Sequence, residues 1–490
     1  MKRFVMTLAA AAVALPTAAL AKDTLTLAMT LEPAGLDPTT RAEAAIGQIV
    51  LYNVFETLTK INEDATVSPG LAKSWTLADD GKTYTFKLHE GVKFHDGTAL
   101  DSGDVKFTFE RSAAEDSANK RKKYFTNMAS IETPDATTVV ITLKEPRPTF
   151  LFNMGEANSV ILAPESVETD ATNPVGTGPF KFVKWTKGDS LVLEKNPDHR
   201  DAANVQLTKV TYKFINDASA QVAALVAGDL DYIPFFRAPE ALGPFKDNPN
   251  LVITSGTTEG ETILGINNKK PPLDNLKVRQ AIAHAIDRQE IIDGAMFGIG
   301  TPIGSHFAPH NPDYVDLTGT YPYDPEKAKA LLKEAGAEGS ELVLRLPPVG
   351  YARNGGQILA QQLEKIGLKI RIENVEWAQW LDVVYKQKNY DLSIVSHVEP
   401  MDIGIYANPD YYFQYDSAEF RDIMSKADAA LDPAERSKYL KMAQRKLADD
   451  AVNGYLFQLG KTTVAAKGLQ GYWKNSPYFL NDLAAISWAN

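Results

Sequence analysis

His306 and His310 stand four positions apart, a spacing at which two imidazoles can share a metal ion. Pro309 and the neighbouring Gly304 and Asn311 make that stretch a loop, which favours solvated or packed histidines over a ligand pair. Nothing in the chain supplies a His-Glu-x-x-His helix, a Gly-x-Ser-x-Gly elbow or a cysteine nucleophile. Gly176-Thr-Gly178 is followed by Pro179 and the strand-like Phe180 to Trp185, where a dinucleotide site needs a helix N-terminus. Gly460-Lys461-Thr462 ends like a phosphate loop, but Tyr455 stands where the loop's first glycine belongs; around Gly81-Lys82-Thr83 that place holds Thr76. Paired carboxylates are unavoidable among 62 Asp and Glu, so a glycosidase dyad has no positive sign. No catalytic residue, metal ligand or cofactor is assigned. The densest aromatic run, Tyr411-Tyr-Phe-Gln-Tyr415, reads either as lobe packing or as a lining for an amine by cation–π contact. Trp377 and Trp380, with Leu381 and Val384, read as core.

Residues 1–21 carry Lys2 and Arg3, an apolar run from Phe4 to Leu15, and Ala19-Leu20-Ala21, the layout of a secretory signal peptide cut before Lys22. No later stretch reaches the roughly 18 to 20 apolar residues of a membrane span, so direct membrane insertion is not expected. There is no cysteine, hence no thiol for a lipid anchor, and a periplasmic location without an anchor is expected. A net charge of −11 argues against nucleic acid or an anionic membrane as partner.

The elements that must position any site are partly legible. Asp79-Asp80-Gly81 reads as a turn before the alternating strand Tyr84 to His89. His95-Asp96-Gly97 reads as a second turn, and Asp104 as the cap of a helix starting at Val105. In the second half, Asp324-Pro325 opens a helix closed by Gly336, Asp432-Pro433 opens another, and a third begins near Asp274. Leu342 to Leu346, Leu368 to Ile372 and Leu392 to Val395 read as intervening strands, giving an α/β alternation. Leu191 to Lys195 and Val210 to Phe214 read as strands of a more antiparallel lobe.

The spacing of Trp75, Gly81, Tyr84, Phe86, Leu88, Gly91, Phe94, Asp96, Gly97 and Asp104 closely resembles the signature of the peptide/nickel family (family 5) of ABC-transporter solute-binding proteins. Leu36-Asp37-Pro38, Gly176 to Phe182, Asn267 to Arg288 and Tyr323 to Gly336 stand where that family has matching blocks, so the likeness covers almost all of the chain after residue 21. It implies an α/β, periplasmic-binding-protein-like fold, three-lobed (cluster C type), with mixed sheets and a hinged ligand cleft. Lobe I would comprise 22–55, 175–258 and 465–490, lobe II 56–174 and lobe III 259–464, with two crossings between lobes I and III. The implied work is capture of a short peptide or other small amine-bearing solute, without chemistry, and delivery to the transmembrane subunits of an ABC permease by a monomer. A nickel or metal-chelate carrier and an oligosaccharide carrier share the fold and stand as alternatives, with a secreted hydrolase behind them.

The same resemblance nominates residues. The segment from Ser396 through His397 to Tyr406 follows a strand at whose end the family carries a Trp, an acid that pairs with the ligand's amino group in peptide binders, and Asp-Pro. By position Glu399 matches that acid and Asp402 the later Asp, while Ser396 replaces the Trp and Ile403 the Pro. Water-excluding closure would strengthen a carboxylate–ammonium bond; the alternative is that either acid caps a turn around Pro400 and Gly404. Glu32 and Gly35 lie in the loop where relatives present main-chain groups to the solute, or form a plain strand-to-helix turn. Tyr351 and Arg353 fall in a loop near the place of an arginine that holds a peptide carboxylate; Arg353 is otherwise a solvated surface residue.

Overall fold

The computed structural model describes residues 22–41, 43–430 and 432–489, so the expected signal peptide at 1–21 lies outside the described residues. An eleven-stranded mixed sheet runs through most of the molecule. Its order is Lys369–Asn374, Glu341–Leu346, Leu392–His397, Leu251–Ile266, Gly454–Ala466, Tyr232–Ile233, Thr24–Met29, Lys209–Phe214, Ser190–Lys195 and Phe180–Thr186, with Gly300–Pro302 added beside Gly454–Ala466. Thr24–Met29 is parallel to Lys209–Phe214, and Glu341–Leu346 is parallel to both its neighbours, while the two longest strands pair antiparallel.

Those two strands are what join the bodies. Leu251 to Thr257 pairs with Gly460 to Ala466, and Glu261 to Leu264 pairs with Gly454 to Gln458, with the register broken between Thr257 and Glu261. Below the break the sheet buries Leu27, Ile49, Phe180 and Tyr212 on one face and Leu225, Phe236 and Phe245 on the other. Above it, Ile282, Leu344 and Leu359 pack on one face and Trp380, Tyr406 and Phe420 on the other.

A separate four-stranded antiparallel sheet, in the order Ala72–Leu77, Thr83–Leu88, Thr138–Leu143, Met128–Asp135, carries the third body. Tyr84, Phe86 and Leu88 alternate inward, as the sequence predicts, against Phe109 and Phe125. Full burial of side chains of this size contributes about 1.5–3 kcal/mol each. Gly81 turns the preceding hairpin at φ +67°. The helix behind the sheet spans Ser102–Ala113, three residues earlier than predicted at its start. Asp101 is its N-cap, accepting from Gly103 N at 2.6 Å, and Asp104 closes the capping box from inside the first turn by accepting from Asp101 N at 2.8 Å. Asp104 is thus the third residue of the helix, three positions inside the cap that it was expected to form.

Gly176 and Gly178 mark a close approach, not a phosphate loop: a Cβ on either would lie 2.0 Å from Val54 O or 2.3 Å from Asn53 O. His95 stitches the signature turn to this crossing, its Nε2 2.9 Å from Gly178 O and its Nδ1 accepting from Gly176 N at 3.3 Å. Burial pushes that imidazole down to about 4, so it is neutral at pH 7. The predicted helices form at Pro325–Glu334, Pro433–Asp449 and Leu276–Ala285; Asp324 and Asp432 cap the first two, and Asn275 caps the third. Tyr351 and Arg353, expected in a loop, stand in the first turn of the helix Gly350–Lys365. Among the described residues no helix is long and apolar enough to cross a membrane.

Candidate functional site

A cavity of about 330 Å3 opens between the bodies. Its wall carries Arg41 and Phe479 from the body around Thr24–Met29, Lys120 and Arg121 from the four-stranded body, and Glu259 and Glu399 from the crossing strand and the strand-end loop. Both signs of charge therefore face one space, with Ala44, Val398 and Tyr478 as apolar lining.

Local structure explains the placement. Asn119 Oδ1 accepts from Arg121 N at 2.8 Å while its Nδ2 donates to Asn158 O at 3.0 Å, and Asn158 Nδ2 in turn donates to Pro38 O at 2.6 Å and Arg41 O at 3.2 Å. Two buried amides thus tie the Arg121 and Arg41 loops together. The Arg121 guanidinium bridges the cleft: Nη2 donates to Glu399 Oε2, and Nε lies 3.6 Å from Glu156 Oε2. Burial pushes Glu156 up to about 7, although Arg121 and a 2.9 Å bond from Asn153 Nδ2 pull the other way. Arg41 is loosely held, 3.3 Å from Glu43 with both side chains nearly half exposed. Glu259 sits in the register break of the crossing strand, an irregularity of the kind that re-aims a side chain. It accepts from His310 Nε2 at 2.6 Å, and His310 Nδ1 lies 2.6 Å from Thr257 Oγ1.

Of the residues nominated by the sequence, Glu399 lies on this wall, its side chain 56% exposed. Asp402 lies behind it, half-buried, 2.6 Å from His306 Nε2 and 3.6 Å from His397 Nδ1. Burial alone would raise the Asp402 carboxyl, but the two imidazoles hold it well below the usual carboxylate range. His397 ends its strand with Nε2 at 3.0 Å from Tyr412 OH and its ring parallel to that of Tyr412, so the aromatic run packs on it. Glu32 accepts from Trp185 Nε1 at 2.8 Å and Gly188 N at 3.0 Å, beside a second cavity of about 360 Å3 lined by Phe235 and Arg237. A Cβ on Gly35 would lie 3.3 Å from Arg41 Nε. Tyr351 OH accepts from Ser396 N at 3.2 Å, and Arg353 Nη2 donates to Glu376 Oε1 at 3.2 Å, away from the cavity. His306 and His310 face different carboxylates, Asp402 and Glu259. Lys461 of the phosphate-loop-like triplet lies inside the strand Gly454–Ala466, pushed down to about 8 by burial and 5.1 Å above the Phe235 ring.

The family model described as bacterial extracellular solute-binding proteins, family 5 Middle, matches residues 66–450. Di/tripeptide-binding protein 1 of Pseudomonas aeruginosa (strain UCBPP-PA14) is 33% identical over 382 residues, covering 71% of each chain. The structure of HbpA2 from Haemophilus parasuis superposes with a TM-score of 0.86 at 25% identity, covering 95% of this chain and 100% of that one. AgaA from A. tumefaciens R10, in complex with agropinic acid, does so with a TM-score of 0.74 at 27% identity, over 95% and 99%.

Proposed function

Since the chain belongs to the bacterial extracellular solute-binding proteins of family 5, we propose that it is the periplasmic capture subunit of an ABC importer for short peptides, exported by the leader at residues 1–21. It binds cargo without altering a covalent bond and hands it, as a monomer, to a membrane permease. The observation that carries the peptide reading is the mixed charge of the cavity. A zwitterion of two or three residues matches Glu399 at its ammonium and Arg41 or Lys120 at its carboxylate, with apolar walls between. The volume lies at the low end for pockets that enclose small ligands, which favours short peptides over long ones. The di/tripeptide-binding relative supports the same class. An acid such as agropinic acid, held by the AgaA protein, would use the cationic side of the same wall.

We assign lobe I to 22–55, 175–258 and 460–490, lobe II to 56–174 and lobe III to 259–459, the last boundary lying earlier than the 464/465 expected from the sequence. The first crossing coincides with the register break at Thr257 to Glu261. On the returning strand Val464 packs with Ala28 and Leu225, so we place that crossing nearer to Leu459. The test is a thermal-stability screen with dipeptides, tripeptides, opines, polyamines, nickel-histidine and oligosaccharides. A di- or tripeptide present at about 100 times its Kd adds about 2.7 kcal/mol of stability and is recovered intact. Hydrolysis of the added compound, or stabilisation by oligosaccharides alone, overturns the assignment.

A further inference from the structure

We propose that Glu261, His306 and Asp402, with His397 beside them, form a site for a divalent transition-metal ion of the Zn2+ type behind the lobe III wall of the cleft. One donor atom from each of the first three lies within 4.8 Å of the other two. The residues arrive from three separate segments: Glu261 from the crossing strand just past its register break, His306 from the loop after Gly300–Pro302, and Asp402 from the turn that follows Leu392–His397. His397 is the register partner of Glu261 across the ladder, so both side chains rise from the same face. Its Nδ1 lies 3.6 Å from Asp402 Oδ2, and its Nε2 is tied to Tyr412 OH, the outer contact that fixes the ring of a metal-binding histidine.

Two observations point to an ion and not to a closed polar network. Glu261 is 2% exposed, yet its Oε2 has no hydrogen-bond partner, and two carboxylates, those of Glu261 and Asp402, share one 4.8 Å cluster with the imidazole of the fully buried His306. Buried polar atoms are normally satisfied, so a buried carboxylate with an orphaned oxygen beside a second carboxylate is an arrangement that a dication completes. The donor set decides the class of ion: imidazole with carboxylate suits Zn2+ and its neighbours, whereas Ca2+ and Mg2+ take all-oxygen shells. Tetrahedral Zn2+ with ligands at about 2.0–2.2 Å sets donor atoms about 3.3–3.6 Å apart, so the 2.6 Å His306–Asp402 contact needs to open by about 0.7–1 Å. Val398 to Pro400, next along the chain from His397, line the cleft and give an ion a short route inward. The ion would pin the crossing strand, the His306 loop and the strand-end loop to one another, independently of what the cleft carries.

The test uses the exported full-length protein, stripped with a chelator and titrated calorimetrically with ZnCl2. One ion binds per chain, the melting temperature rises, and Glu261→Gln and His306→Gln each weaken binding by about tenfold or more, while His89→Gln leaves it unchanged. X-ray absorption at the zinc edge of the wild-type protein shows imidazole scattering with first-shell distances of about 2.0–2.1 Å, which keeps the proposal decidable should either variant fail to fold. Absence of stoichiometric binding, binding that survives both substitutions, or an oxygen-only shell overturns it.

Discussion

Arg121 stands between two carboxylates, the buried Glu156 of its own body and the exposed Glu399 across the cleft. An exposed ion pair is worth little by itself, so this one is easily exchanged when a ligand ammonium arrives at Glu399 and a ligand carboxylate at the basic side. Glu399→Gln should leave folding intact and weaken an aminated ligand by about 2 kcal/mol, because in the closed cleft the ammonium loses a charged acceptor. Calorimetry showing unchanged affinity removes Glu399 from the site. Glu399 was nominated by the family resemblance of the loop that follows a readable strand, and it lines the cavity. Its partners were not nominated. Arg121 lies in the run Lys120-Arg-Lys-Lys123, which has the look of a solvated basic face, and Arg41 has no motif at all. Both become cleft residues only through the Asn119–Asn158 bonds, which join segments far apart in sequence.

At the level of elements, the close crossing at Gly176 and Gly178 holds the entry to the Phe180–Thr186 strand against residues 53–54, with Gly178 N donating to Val54 O at 2.9 Å. A methyl group at 178 would sit 2.3 Å from Asn53 O, where backbone and not a flexible side chain must give way. Gly178→Ala is therefore expected to cost about 3 kcal/mol, read as a lower urea midpoint, whereas Gly243→Ala, with open space around it, stays within about 0.5 kcal/mol. Equal midpoints for the two variants would dismiss the steric account. Regular elements were readable where alternation or a Pro-opened helix announced them. The helix Gly350–Lys365 was not, because Pro347-Pro348 and two interior glycines disguise it. Those glycines serve packing: a Cβ on Gly356 would lie 2.4 Å from Leu346, and one on Gly355 3.4 Å from Ile291. The helix Ser102–Ala113 was found but displaced, since Asp101 and Asp104 both fit a cap and only the geometry separates them.

For the whole molecule, the bodies on either side of the register break are connected through two paired strands that share that irregularity, which suits a hinge. Addition of a bound di- or tripeptide should lower the radius of gyration in solution scattering, and an unchanged value would deny the hinge any role. Global stability has a second handle, in buried carboxylates that titrate in opposite senses. Burial would raise Glu56, but His199 and Arg200 hold it at about 2, so its contribution is full above about 4.5 and is lost as pH falls toward 2. Asp170 behaves the other way. It is fully buried, Oδ1 accepts from Val175 N at 2.9 Å, Oδ2 has no partner, and burial with Asp37 nearby pushes it up to about 7. An unfolded aspartate titrates at about 3.9, so between about 4 and 7 the folded chain keeps a proton that the unfolded chain has released. Stability from this group is therefore full below about pH 4, declines to about pH 7 and is flat above. Asp170→Asn removes this group's share of the decline, leaving that of Glu156, and should raise stability at pH 8 by about 2 kcal/mol while changing little at pH 4, measured as urea midpoints across that range. A variant whose midpoint tracks the wild type at every pH would show that Asp170 ionises freely in the folded protein and that its buried, half-unpartnered carboxyl is not what sets the slope.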